Sequence, residues 1–323
     1  MSSSDTTAAQ TVPKPPDSVL RRLLRDPQAV CGLVLVLGFV LLAAAAPLLA
    51  PLDSSAQYRE GLTATGMPMP PGSPLTVDGH HHTFWLGSDT LGRDLLTRLI
   101  YGARFSLSIG LLAMVTAIGM GALVGLLAGY YRGTVEFVLM RITDVMLTVP
   151  TLILAIALVA VMPRGSLHFH LLGAERELPR ELINMFVVIG LVSWTGVARV
   201  VRSETLRVGA MEYVQAARAL GCSHARVLRR HVLPNVLPTI LVLATLGAAG
   251  AIVMDAGLSY LGLGVRPPHP TWGKMIADGQ PYLVTAPWLI LAPGLAVVLV
   301  VLGFNLLGQG LQNALDPNRR ERD

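Results

Sequence analysis

The sequence predicts an all-α membrane protein of six transmembrane helices, on three observations. Hydrophobic residues fill 52% of the 323 positions and charged residues 14%, with a mean hydropathy of +0.57. A soluble domain carries about 25% charge, because it has to face water on every side. Six long runs hold no charged side chain, and the basic residues gather in alternate segments between them.

A spanning helix needs roughly 20 apolar residues. The first run, 27–52, follows a polar, Pro-rich segment 1–26 that is expected to be a disordered tail. It is too long for a signal-peptide core and no A-x-A site closes it convincingly, so it reads as an anchored helix. After an outer segment 53–103 come 105–131, 145–163 behind Asp144, 182–198, 232–254, and a helix at 287–310 within the uncharged stretch 279–315. These form a five-span core over 104–311, before a short tail at 312–323. Gly119, Gly121, Gly125, Gly129, Pro150 and Pro293 lie inside the runs. Small residues let membrane helices approach closely, and neighbouring groups re-satisfy freed backbone.

Six spans put both termini on one side. Segments 1–26, 130–141, 199–230 and 311–323 hold 16 of the 25 Lys and Arg. That bias makes them, and both termini, cytoplasmic. The net charge of +5 and pI near 9.6 do not point to nucleic acid, because no basic patch interleaves with aromatics. Cys31 and Cys222 stand far apart, both on the inner side, with neither metal nor disulfide spacing.

The loop from Ser203 reads as helix, turn, helix. Leu206, Ala210, Val214 and Ala217 recur at helical spacing as one apolar stripe. Gly221 stops that helix in the left-handed conformation. The Ser223 hydroxyl caps a second helix, which ends near Pro234 for want of an N–H. On these grounds alone the loop is either a solvated basic connector or a docking knob.

The stretch Glu212-Tyr-Val-Gln-Ala-Ala-Arg-Ala-Leu-Gly-Cys-Ser223, continuing to Arg230-His-Val-Leu-Pro-Asn235, resembles the EAA loop of ABC import permeases. Trp85-Leu-Gly-Ser-Asp-Thr-Leu-Gly-Arg-Asp94 is similar to the outer segment of the "C"-type dipeptide, oligopeptide and nickel permeases. Asp255-Ala-Gly-Leu-Ser-Tyr-Leu-Gly-Leu-Gly264, with Pro267-Pro268 and Thr271-Trp-Gly273, resembles the exit of their fifth helix, and Arg141-Ile-Thr-Asp144 through Pro150 their third. The matches cover most of 84–315. Residues 53–83 have none and read as a variable insert. Gln215 stands where the family carries glutamate, and His231 where it carries an aliphatic residue.

The resemblance implies a type I ABC importer permease core in a bacterial inner membrane. Loop 204–234 would be the coupling helix in the cleft of an ATP-hydrolysing subunit, through Glu212, Ala216, Ala217, Gly221, Ser223, Arg226 and Pro234. With Gln215 uncharged, docking is expected to depend on shape and arginines. The implied partners are a homologous second permease, two ATP-binding subunits or one fused ATPase, an extracytoplasmic substrate-binding protein and membrane lipid. ATP and Mg belong to those partners, and this chain needs no cofactor. Its two lysines, Lys14 and Lys274, lack P-loop spacing. Peptides are the implied cargo, with nickel or a nickel chelate as the alternative. The mechanism is alternating access, in which ATP-driven closure moves the loop and tilts the third to sixth spans.

Charges near a span are functional candidates because burying them is costly. Arg141 and Asp144, three apart, are expected to pair locally. Together with Asp255 and Ser259 they are candidates for the translocation path or its gate. Asp89, Arg93 and Asp94, on a short helix capped by Ser88, and Trp272 are candidates for contact with the binding protein. His80–His82 suggest a metal, but adjacent histidines on an extended segment diverge and only Asp78 stands nearby, so none is expected. An intramembrane hydrolase is the rival class. Gly257-Leu-Ser-Tyr-Leu is not a nucleophile elbow, no histidine follows His269, and there is no H-E-x-x-H. A channel or receptor suits six spans equally well, but neither needs an ATPase dock.

Overall fold

A computed structural model describes residues 19–50, 52–77, 80–163, 165–171 and 174–315. Residues 1–18 and 316–323 of the tails expected at 1–26 and 312–323, and Asp78, lie outside them. Where a disordered tail is expected to run to residue 26, Val19–Arg25 form a helix, α1. Asp26 then caps α2 (Pro27–Ala44), accepting from the Gln28 N–H at 2.9 Å, with proline at the first helical position. A one-turn helix, α3 (Ala46–Leu49), finishes the first apolar run.

The segment before the second span is not a loose insert. Strands β1 (Ser73–Val77) and β2 (His80–Phe84) form an antiparallel hairpin, pairing Leu75 with His82. Leu75 and Phe84 are buried, and the Tyr58 ring meets Phe84 edge-on at 6.3 Å. Two large apolar side chains leaving water give the segment a fixed seat.

Helix α4 (Leu95–Tyr131) is an unbroken 37 residues, with Asp94 accepting from Thr97 N–H at 2.7 Å as its cap. The expected third span is broken. α5 (Gly133–Thr148) and α6 (Thr151–Val161) meet at 88°. Proline drives the preceding residue out of the helical region and cannot donate, and Val149 is extended at φ −89°, ψ 128°. A second hairpin, β3 (Ser166–Leu171) and β4 (Ala174–Pro179), leads into α7 (Arg180–Gly209). There follow α8 (Glu212–Ala219), α9 (His224–Val227), a π turn at Leu228–Val232, α10 (Leu233–Tyr260), α11 (Trp272–Gly279) and α12 (Trp288–Leu315). Among the described residues five helices are long and apolar enough to span, and six if the bent α5–α6 pair counts as one.

The bundle is organised around the α4–α7 pair. A Cβ at Gly121, Gly125 or Gly129 would lie 2.6–2.7 Å from Trp194, Ala198 or Thr205, so these glycines let α7 lie directly on α4. Gly119, read with them, has nothing within 4 Å and faces away. α10 packs on α4, α7 and α12, and α2 rides on α12 through Gly32, Gly303 and Gly310. Asn313 Nδ2 donates to Asp26 Oδ2 at 3.2 Å, so the start of α2 and the end of α12 meet at one end of the bundle. α6 covers the first half of α7 around Met185, Val188 and Ile189. Large apolar side chains such as Leu41, Val115, Ile153 and Val298 point outward, as lipid-facing helices require.

Candidate functional site

The loop between α7 and α10 is polar and largely exposed. The expected single stripe from Leu206 to Ala217 does not form. α7 stops at Gly209, Ala210 is exposed, and Met211 is extended at ψ 143° before α8 begins. The break turns α8 so that Val214 and Ala217 bury against the bundle, while Glu212, Ala216, Gly221, Ser223, Arg226 and Pro234 stay exposed. Gly221 ends α8 as expected, at φ +79°, where a side chain would be strained. Cys222 N–H donates to Ala217 O at 3.1 Å and Gly221 N–H to Arg218 O at 3.0 Å, the paired bonds of a Schellman turn.

Two local expectations fail. Ser223 holds the N-cap position of α9, but its hydroxyl makes no capping hydrogen bond. Nor does Pro234 end the second helix: His224–Tyr260 run on as one span. The π turn at Leu228–Val232, with Leu233 N–H bonding back to Leu228 O, widens the coil one turn before the proline ring has to fit.

Residues that sequence reasoning passed over fasten this loop. The Tyr130 hydroxyl and His224 Nδ1 are hydrogen-bonded at 3.0 Å. The Arg218 guanidinium lies over the Tyr130 ring, 4.6 Å from its centroid, and Tyr131 meets Tyr130 edge-on at 5.2 Å. An aromatic pair closing an apolar run marks a membrane interface, and that signal was available at Tyr130-Tyr131.

Beside the loop, α5 and α7 enclose an open groove of about 630 Å³. The expected Arg141–Asp144 pair is absent. α7 brings Arg199 to Asp144 at 2.6 Å, while Arg141 stacks over the Phe137 ring at 5.7 Å. Arg202 Nε donates to Glu136 Oε1 at 2.7 Å. Arg141 and Asp144 line this groove with Glu136, Arg199 and Arg202, and of these Arg199 pairs with Asp144 from another helix.

At the far end of α4, the residues expected to meet a binding protein are inside. Asp89, Arg93 and Asp94 are 4–6% exposed and Trp272 is 1% exposed. No short helix forms over 88–94. The Ser88 hydroxyl instead serves Met69 N–H and Gly61 O. Asp89 Oδ1 accepts from the Leu91 and Arg93 N–H groups, and its Oδ2 accepts from Arg93 Nε at 2.6 Å and lies 3.1 Å from Arg98 Nε. Burial pushes the Asp94 carboxyl above the usual carboxylate range, against the Thr97 hydrogen bonds that pull it down. Trp272 N–H donates to Ser106 Oγ and its indole to Leu99 O, tying α11 to α4. These side chains are internal ties between elements of this chain.

Asp255 and Ser259 are also fully buried, 3.4 Å apart on successive turns of α10, with Gly264 and Gly273 closing over Ser259. Neither borders an opening here. No three His, Cys, Asp or Glu come together as metal ligands among the described residues.

Known proteins share both the sequence and the fold. Residues 121–321 match the family of binding-protein-dependent transport system inner membrane components, and residues 17–71 match the N-terminal TM domain of oligopeptide transport permease C. The dipeptide transport system permease protein DppC of Alkalihalophilus pseudofirmus is 37% identical over 96% of this chain and 92% of its own. The di/tripeptide transport system permease protein DppC of Pseudomonas aeruginosa is 38% identical over 94% and 93%. A chain of the MetNI methionine ABC transporter, solved in inward-facing conformations, superposes with a TM-score of 0.53 at 16% identity, covering 68% of this chain and 96% of its own.

Proposed function

This chain belongs to the family of binding-protein-dependent transport system inner membrane components, and from that we propose that it is the permease subunit of an ABC importer for short peptides. The observation that carries the reading is the loop: a capped, exposed helix, α8, held between two spans of a type I importer permease core. A channel has no use for such a helix. The peptide cargo rests on the relatives, which are named as dipeptide and di/tripeptide permeases.

On this reading Glu212, Ala216, Gly221, Ser223 and Arg226 face a separate ATP-hydrolysing subunit, which binds ATP and Mg. Val214 and Ala217 seat the helix from behind. The second permease and a binding protein complete the importer. Both termini lie in the cytoplasm with the loop. Two features support that orientation: the concentration of Lys and Arg in these segments, and the meeting of Asp26 with Asn313 at one end of the bundle. The groove carrying Arg141, Asp144, Arg199 and Arg202 then opens toward the cytoplasm, where a charged lining suits a water-filled exit better than lipid. Asp255 and Ser259 form a closed polar contact within α10, covered by α11 at Gly273, which has to be uncovered if the path opens there.

The test is reconstitution of this chain with its homologous permease, ATPase and binding protein in proteoliposomes. ATP-dependent accumulation of a labelled dipeptide is the expected result. Accumulation of nickel or a nickel chelate in place of peptide overturns the cargo assignment. An absence of ATP-dependent uptake of any of these overturns the importer reading.

A further inference from the structure

We propose, resting on the importer reading, that α4 is the shaft carrying coupling-loop movement to the outer end of the bundle, and that Tyr130 is the positioning residue gripping the loop.

The grip spans both halves of the loop. Tyr130 is 6% exposed. Its ring holds α8 through Arg218 and its hydroxyl holds α9 through His224, on opposite sides of the Gly221 turn. Tyr131 closes the cluster against the His224 ring at 6.0 Å. A displacement of the loop as a body therefore reaches the end of α4 directly, and not only the spans to which the loop is covalently joined.

Of the routes out of the loop, α10 and α4 differ in stiffness. α10 leaves it through a π turn followed by Pro234 and Pro238, where the backbone ladder is interrupted. α4 has neither proline nor break over its 37 residues, about 55 Å at 1.5 Å per residue. α7 is keyed onto it at Gly121, Gly125 and Gly129, so the pair moves as one.

The far end of the shaft is fastened as well. Arg98 pairs with Asp89 and donates to Ser54 O at 3.0 Å, which holds the outer segment. Leu99 O and Ser106 Oγ accept from Trp272, which holds α11. Both ends of α4 are thus built for transmission: a grip on the loop at one, a tie to the outer elements at the other.

The test uses the complete importer in proteoliposomes and reads peptide imported per ATP hydrolysed. Tyr130→Phe keeps the ring under Arg218 and removes one hydrogen bond. Imported peptide per ATP is expected to fall by about threefold, the size of one net hydrogen bond, while binding-protein-stimulated hydrolysis stays within about twofold of wild type. His224→Ala, an exposed position, is expected to give at least that loss, since it also removes the ring contacts with Tyr130 and Tyr131, and the double variant no further loss than His224→Ala. An unchanged ratio in Tyr130→Phe overturns the proposal. So does slower hydrolysis at an unchanged ratio, which is the signature of weakened docking. If Tyr130→Phe does not assemble, His224→Ala alone decides by the same ratio. A wild-type importer that takes up nothing overturns the importer reading beneath it.

Discussion

The loop between α7 and α10 and the segment leading into α4 are both polar, motif-rich stretches beside an apolar span, yet they fold to opposite ends. In the segment leading into α4 the charges have turned inward. Asp89 collects two backbone N–H groups and two guanidinium groups from its own chain. In the loop, the Glu212 and Arg226 side chains are exposed and make no hydrogen bond or ion pair among the described residues, and Leu220 is 85% exposed. A buried charge has to find its partners within the chain, whereas a charge left in water stays available to another subunit. Polar patterning reveals that partners are needed. Where they reside depends on which side of the backbone meets the core.

Three substitutions would break or sharpen that contrast. The largest effect is expected from Asp89→Ala, which leaves Arg98 buried without its carboxylate. Removing one partner of a buried pair costs about 3–5 kcal/mol, so the purified complex should lose many degrees of apparent melting temperature. A variant of wild-type stability with weakened binding-protein affinity would return this segment to the role of a docking face. Next comes Gly221→Val. No atom lies within 4 Å of the added Cβ, so the penalty is the strain of φ +79°, about 1–2 kcal/mol. The chain should fold and insert, but α8 should be mis-set, abolishing uptake and the stimulation of ATP hydrolysis. Normal uptake would remove the loop from the coupling role. The smallest change in stability belongs to Leu220→Ser, within about 0.5 kcal/mol because the site is exposed. Its effect should appear as weaker retention of the ATPase subunit in a pull-down from detergent. Equal retention would move the docking surface away from this turn.

Much of the architecture was legible from residue order, and each miss has a local cause. Five spans follow from uncharged runs, since hydropathy over some twenty residues decides whether a helix can cross. The expected third span failed as a straight helix because Pro150 acts through the geometry of Val149. The same proline rule misled at Pro234, where a π turn absorbs the misfit. The Gly221 stop was readable, since only that residue type sits easily at positive φ. The Arg141–Asp144 pair was plausible by spacing and lost to Arg199, a competitor on another helix. The direction in which the Asp89 motif faces had no signature in the order of residues.

Composition, helix-breaking residues and charge bias therefore establish a membrane bundle, its approximate spans and a loop helix stopped at Gly221, because each acts through a residue's own backbone and close neighbours. The grip of Tyr130 on His224, 94 positions away, and of Trp272 on Ser106, 166 away, arises only from packing. Such contacts depend on which helices lie side by side, and in this bundle glycine gaps between α4 and α7 set that arrangement.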